Sequence, residues 1–253
     1  MKLIAHRGAS LERPENTLES LTYASELGAY AVECDVRQTL DGHYLIFHDD
    51  NLGRLTGDPR KLSAVTEEEM RALLAGNRRG LLTLSDLLND YRGKASVLLH
   101  IKLNDPDEAF FRRLYDSTIN FICGVQSPKT AQICRRVFPS ERILAFMPNM
   151  EMYREFYEAG AGIIRLWEQW LDQLTPDEIH SACPGAEVFI MANRPETGMN
   201  GTPESLAAIT ALHADGVLLN DIRMAIENIC WRHIRQSNGL IHDFPIISVK
   251  SDM

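Results

Sequence analysis

Between residues 6 and 49 the chain concentrates groups that can move protons, hold a cation and grip a phosphate. They are His6-Arg7-Gly8, Pro14-Glu15-Asn16-Thr17, Glu33-Cys34-Asp35 and His48-Asp49, set at the ends of short apolar runs. Glu33 and Asp35 stand two apart, so in a strand both side chains leave on one face while Cys34 points to the other. Two carboxylates on one face are a natural seat for a hard divalent cation. An isolated Glu-x-Asp is more often a solvated ion pair, and a lone histidine is more often structural. The apolar strand around Glu33 and Asp35, and the histidines near it, tip the balance toward a site. Imidazole titrates close to neutrality, so His6 and His48 suit a general acid and a general base.

Such groups need a scaffold, and the hydrophobic pattern supplies one. Strand-like runs fall at 2–7, 31–36, 96–102, 121–125, 142–147, 162–167, 187–193 and 216–219, each followed by a helix-like segment, with 44–47 as an extra strand. This alternation predicts a parallel sheet with right-handed crossovers. Eight units in a chain of 253 residues suit a closed (β/α)8 barrel in one domain, 1–253. An open doubly wound sheet is the competitor, but no G-x-G-x-x-G follows the first strand. Residues 50–83 break the rhythm and read as a small insertion after the second strand region, with a capping box at Thr66-x-x-Glu69.

Four helices are announced by a cap residue and proline: Asp105-Pro106, Ser127-Pro128, Thr175-Pro176 and Thr202-Pro203. The first helix is expected from Asn16 to Leu27, with Asn16 as N-cap and Gly28 as its end; the last is expected from Met224 to Arg235. A barrel of this type carries its functional groups at the C-terminal strand ends. His6 and Arg7, Glu33 and Asp35, His100 and Lys102, Asn193 and Arg194, and Asn220 and Asp221 all fall there. Capping is the simpler role for Asn16 and Ser127, and Glu15 could serve the helix dipole. Trp167 and Trp170 fit either core or pocket wall.

Composition narrows the partners. The formal net charge is -9, which disfavours nucleic acid and strongly anionic membranes. No apolar run is long enough to insert stably in a bilayer. The N-terminus shows no basic-then-apolar leader, which points to a cytoplasmic protein. Five scattered cysteines, none in C-x-x-C, read as free buried thiols. The sequence leaves the oligomeric state open.

Together, Ala5-His6-Arg7-Gly8, Pro14-Glu15-Asn16-Thr17, Glu33-Cys34-Asp35, Asp41-Gly42 and Phe47-His48-Asp49 resemble the signature of the glycerophosphodiester phosphodiesterases. Leu52-x-Arg54-x-Thr56-Gly57 continues it, and the resemblance is dense over residues 4–57. It implies a TIM barrel with a small insertion and metal-dependent hydrolysis of a glycerophosphodiester to glycerol 3-phosphate and an alcohol. Glycerophosphocholine and glycerophosphoethanolamine are the substrates it suggests first. By family position, Glu33 and Asp35 are metal ligands and His6 and His48 the acid/base pair. Arg7 and Lys102 hold phosphate oxygens, supported by Glu15 and Asn16. The attacking group is a hydroxyl, which could be the substrate's own.

The sequence departs from the family where Glu-x-Lys is usual: it has His100-Ile101-Lys102. The family implies magnesium or calcium. With His100 as third ligand, preference moves toward manganese or zinc. Two further readings stay open: a phospholipase-D-like lipid phosphodiesterase on a related barrel and, because His100 stands where the family has a glutamate, a non-catalytic phosphodiester-binding barrel.

Overall fold

The structure is a computed structural model that describes residues 1–77, 79–192 and 200–228. The strands are β1 (Lys2–Ala5), β2 (Ala31–Gln38), β3 (Tyr44–Ile46), β4 (Ser96–Ile101), β5 (Phe121–Val125), β6 (Ile143–Ala145), β7 (Ile163–Trp167), β8 (Glu187–Met191) and β9 (Gly216–Leu219). They hydrogen-bond in the order β1-β9-β8-β7-β6-β5-β4-β2-β3, and β1 also pairs with β2. That last pairing closes a parallel barrel from all strands but β3, which lies antiparallel on β2 outside the ring. The (β/α)8 architecture read from the sequence is therefore the one formed. Helices lie between the strands, because parallel strands joined in order require crossovers.

Two apolar layers follow from the two-residue period of the strands. Ile4, Ala31, Leu98, Ile122, Leu144, Ile163, Phe189 and Leu218 fill the barrel interior. The alternate residues, among them Cys34, Val97, Leu99, Cys123 and Val217, pack outward against the helices. Cys34, Cys123, Cys134 and Cys183 are all free and buried, while Cys230 lies outside the described residues. Residues 50–83 hold short helices at Gly53–Thr56 and Glu67–Leu73 over a separate apolar cluster in which Leu52, Leu62 and Met70 pack with Leu45 and Phe47 of the β3 region. The capping box at Thr66 is present.

Some local expectations need correction. The first helix spans Leu18–Leu27, and its N-cap is Thr17, whose hydroxyl accepts from the Ser20 amide. Asn16 cannot cap because its side chain is used elsewhere. Ser127, Thr175 and Thr202 cap as expected, each with proline in the first turn. Asp105 does not; Asp107 caps the helix Glu108–Tyr115, so Pro106 precedes that helix. Strand β1 ends at Ala5 rather than Arg7, since Arg7 and Gly8 take positive φ values of 58° and 78°. Residues 222–228 are helical, and the remainder of the expected last helix lies outside the described residues. Among the described residues, no helix is long and apolar enough to cross a membrane.

Candidate active site

At the C-terminal mouth of the barrel a cavity of about 550 Å³ is lined by His6, Arg7, Glu33, Asp35, His48, His100 and Lys102. Their convergence follows from register. Asp35 of β2 stands beside His100 of β4, and the Ala5 that precedes His6 pairs with Val32. The polar residues thus continue the inward-facing rows that deeper in the barrel are apolar.

The turn after β1 is built to aim its groups. The left-handed backbone at Arg7 turns its amide onto Glu33 Oε2 at 2.9 Å. Gly8 must be glycine: at φ +78° an added Cβ would lie 2.0 Å from Ser20 Oγ. Asn16, also left-handed at φ 56°, is fully engaged with Asp35. Its Nδ2 donates to Asp35 Oδ2 at 3.0 Å, and the Asp35 amide donates to its Oδ1 at 3.1 Å. Asparagine tolerates this conformation better than most residues. Glu15 accepts from Arg7 at 3.2 Å and pairs with Arg54 of the insertion. Neither Glu15 nor Asn16 lines the cavity; both lie behind the groups that do.

Glu33, Asp35 and His100 each present one ligand atom, all within 4.8 Å of one another. Glu33 and Asp35 are each about 1% exposed. Burial, and the neighbouring Asp35, push the Glu33 carboxyl up to about 8. Burial acts the same way on Asp35, but His100 and Lys102 outweigh it and hold that carboxyl well below its ordinary range. Lys102 Nζ lies 2.8 Å and His100 Nδ1 3.2 Å from Asp35 Oδ1. A desolvated carboxylate pair that resists full ionisation, with an imidazole alongside, is a donor set that a divalent cation would satisfy. The residues fit the metal that the sequence implies.

His100 is held as a ligand would be. Its ring stacks on Phe146 with centroids 3.7 Å apart and planes at 13°. Gly124 makes room for the Phe146 ring, since a Cβ there would meet it at 2.4 Å. Gln126 is 3.1 Å from His100 Nε2.

The two catalytic candidates are oriented by different partners. His6 Nδ1 lies 2.7 Å from Asn220 Oδ1, so Nδ1 carries the proton and Nε2 keeps a lone pair. His48 Nδ1 lies 2.7 Å from Asp49 Oδ1, and Asp49 in turn accepts from Arg54 Nε at 2.6 Å. His48 is also fixed through its carbonyl, which accepts from Lys102 Nζ at 3.1 Å and Arg37 Nε at 2.8 Å. Burial lowers both histidines, His48 against the opposing pull of Asp35 and Asp49.

His6 reaches about 4, by burial first and Arg7 second, so it is neutral at pH 7. The unfolded chain, with an ordinary histidine at 6.5, takes its proton first as pH falls. The stability that neutral His6 contributes is whole above pH 6.5 and is lost on going down to about 4. A shift of this size is worth about 3 kcal/mol. We expect the unfolding temperature to drop across that window and His6→Gln to flatten the profile. An equally steep profile in the variant would contradict the assignment.

Sequence reasoning passed over several residues that the fold brings to the cavity. Phe146, Gln126, Arg165 and Met191 line it. Arg165 had a legible signal, a charge at the centre of Ile163-Ile164-Arg165-Leu166-Trp167, two residues before a cavity tryptophan. Asn220 was identified only as a strand-end polar residue. Asp221 accepts from the Met224 amide at the start of the helix at 222–228. Trp167 is cavity wall, and Trp170 packs beside Arg165. Asn193 and Arg194 lie outside the described residues.

Residues 6–127 match the model of the glycerophosphoryl diester phosphodiesterase family. A glycerophosphodiester phosphodiesterase of Caldanaerobacter subterraneus is 42% identical over 78 residues, 31% of this chain and 32% of the relative. A putative glycerophosphodiester phosphodiesterase of Bacillus subtilis is 35% identical over 109 residues, 40% of this chain and 45% of the relative. The chain thus spans less than half the length of these curated relatives in the matched regions. In three dimensions, a glycerophosphodiester phosphodiesterase of Thermotoga maritima superposes with a TM-score of 0.67 at 22% identity, covering 89% of this chain and 96% of that one. An Oleispira antarctica phosphodiesterase in complex with sn-glycerol-3-phosphate gives 0.59 at 17% identity, covering 91% and 97%. The structural likenesses establish the barrel fold beyond the segment that the family model matches.

Proposed function

We propose that this chain, which belongs to the glycerophosphodiester phosphodiesterase family through residues 6–127, hydrolyses glycerophosphodiesters to glycerol 3-phosphate and an alcohol. The observation that carries this reading is the convergence of His6, His48, Arg7, Lys102 and a metal-type donor trio on one cavity. A phosphodiester carries a single negative charge at neutral pH and gains more as the attacking oxygen closes on phosphorus. Positive groups placed for that growing charge lower the barrier.

The roles divide by environment. Arg7 and Lys102 flank β2 and bind phosphoryl oxygens. Glu33, Asp35 and His100 would hold a divalent ion, which supplies further charge neutralisation at the phosphoryl group when bound. His6, neutral and anchored through Nδ1 to Asn220, accepts the proton of the attacking hydroxyl at Nε2. His48 is backed by the Asp49 carboxylate at 2.7 Å, which stabilises imidazolium, so it protonates the alcohol oxygen as the P–O bond breaks. Where the attacking hydroxyl is the substrate's own, water then opens the resulting cyclic phosphate, giving a proton to His48 while His6 returns one to the glycerol oxygen. Asp49 orients His48, and Glu15 and Asn16 hold Arg7 and Asp35 in place.

The test is a panel of glycerophosphodiesters assayed with Mg²⁺, Ca²⁺, Mn²⁺ and Zn²⁺, with the thermal shift from each metal read in parallel. Wild type should work best with Mn²⁺ or Zn²⁺, because an imidazole replaces a carboxylate. His100→Glu should move the optimum toward Mg²⁺ or Ca²⁺ in both activity and thermal shift. Retained substrate binding without glycerol 3-phosphate release under any metal would make this a binding barrel and overturn the hydrolytic reading.

A further inference from the structure

Strand β7 stands directly across the barrel from β2, with three strands between them on either side. Its inward row is Ile163, Arg165 and Trp167. Arg165 lines the cavity yet is only 3% exposed. Its guanidinium carbon lies 4.2 Å from the Trp167 ring centre, 5.2 Å from Phe146 and 5.6 Å from Trp170. Among the described residues its one hydrogen bond is a long one, 3.5 Å from Nη2 to the Met147 carbonyl, and the buried Nε and Nη1 have no acceptor. Among the described residues no carboxylate pairs with it, and burial alone lowers its value to about 9.

A buried cation without a counter-ion is costly, and ring faces offset that cost only in part. Of the metal-type trio, His100 stacks on the same Phe146 that Arg165 approaches, but an imidazole brings no negative charge, and neither Glu33 nor Asp35 offsets the burial of Arg165. Arg7 is tied to Glu15 and Lys102 to Asp35, both on the β2 side, where the phosphodiester would sit. A substrate whose phosphorus lies there extends its far end toward β7. The aromatic faces that could otherwise cradle a quaternary ammonium are taken up by a guanidinium, which repels a cationic head group.

We propose that Arg165 is the specificity-determining seat for an anionic group on the departing alcohol, so that the preferred glycerophosphodiesters carry a carboxylate or a phosphate there. This rests on the hydrolytic reading above and narrows its substrate class away from the choline and ethanolamine esters. A charge-assisted hydrogen bond is worth about 1.5–3 kcal/mol, so the added anion should raise kcat/KM at least about tenfold.

Two matched pairs test it. Glycerophosphoserine differs from glycerophosphoethanolamine by one carboxylate, and glycerophosphoinositol 4-phosphate differs from glycerophosphoinositol by one phosphate. Wild type should favour the more anionic member of at least one pair by about tenfold or more, and the pair that responds identifies the anion. Arg165→Met should bring that ratio to within about twofold, while Arg165→Lys keeps part of it. Equal rates within both wild-type pairs, or an undiminished preference in a folded Arg165→Met protein, would overturn the proposal. If Arg165→Met does not fold, the wild-type and Arg165→Lys ratios decide alone. If no compound is hydrolysed, the hydrolytic reading fails, and the same ratios are read as Kd by calorimetry. About tenfold tighter binding of the anionic member then upholds the seat, and equal Kd values remove it.

Discussion

His6→Ala or His48→Ala lowers turnover of a glycerophosphodiester at least about a hundredfold, the usual scale for losing a general acid or base. The two variants should differ in character. His6 is buried and anchored to Asn220, so its loss removes the proton acceptor and leaves a cavity. Asn220→Ala should then reproduce part of the defect by freeing the ring, without deleting the imidazole. His48 is about 31% exposed and backed by Asp49, so its loss should spare stability and strike turnover alone. It should hurt least with substrates whose alcohol is a good leaving group, such as a nitrophenol, because they need no proton. Single-turnover rates together with thermal unfolding of each variant check both points. Near-normal rates in either histidine variant would remove that residue from the proton-transfer pair.

Asp35→Asn should be the most damaging isosteric change in the molecule. Asp35 faces Lys102 at 2.8 Å, His100 at 3.2 Å and Arg7 at 4.0 Å, and accepts from Asn16 at 3.0 Å. Removing its charge leaves a buried lysine unpaired, a change that costs about 3–5 kcal/mol. It also deletes a ligand from the proposed metal site. We expect activity to fall by about a thousandfold or more, on the scale of losing a main electrostatic stabiliser. Metal should no longer raise the unfolding temperature. Denaturant titration with and without Mn²⁺ separates the two losses. A variant that still responds to metal as wild type does would show that Asp35 is not a ligand.

Much of this was legible in the sequence because barrel geometry is simple. Strand periods of two place Glu33 with Asp35 and His100 with Lys102, and parallel strands in order leave little choice about which end they share. Asn16 was misread for a physical reason. An asparagine ahead of a helix is ordinarily a cap, and only the long-range approach of β2 reveals that its amide is committed to Asp35. Asp105 failed similarly, since two acidic residues flank Pro106 and the chain used the second. Asn220 could not be tied to His6 from sequence, because 214 positions separate them and only barrel closure brings them together. Arg165 needed nothing beyond the two-residue rule, applied to the strand opposite the one that drew attention.

The insertion reaches the chemistry through Arg54, which joins Asp49 behind His48 to Glu15 behind Arg7. Arg54 is 47% exposed, whereas Glu15 and Asp49 are each 18% exposed. Both ion pairs share this half-exposed guanidinium, so salt weakens the two ends of the tether together. The loops after β1 and β3 have to be exchanged together when barrels of this kind are recombined. A chimera that takes the histidines from one parent and the insertion from another inherits both proposed proton-transfer groups with nothing to keep them in step.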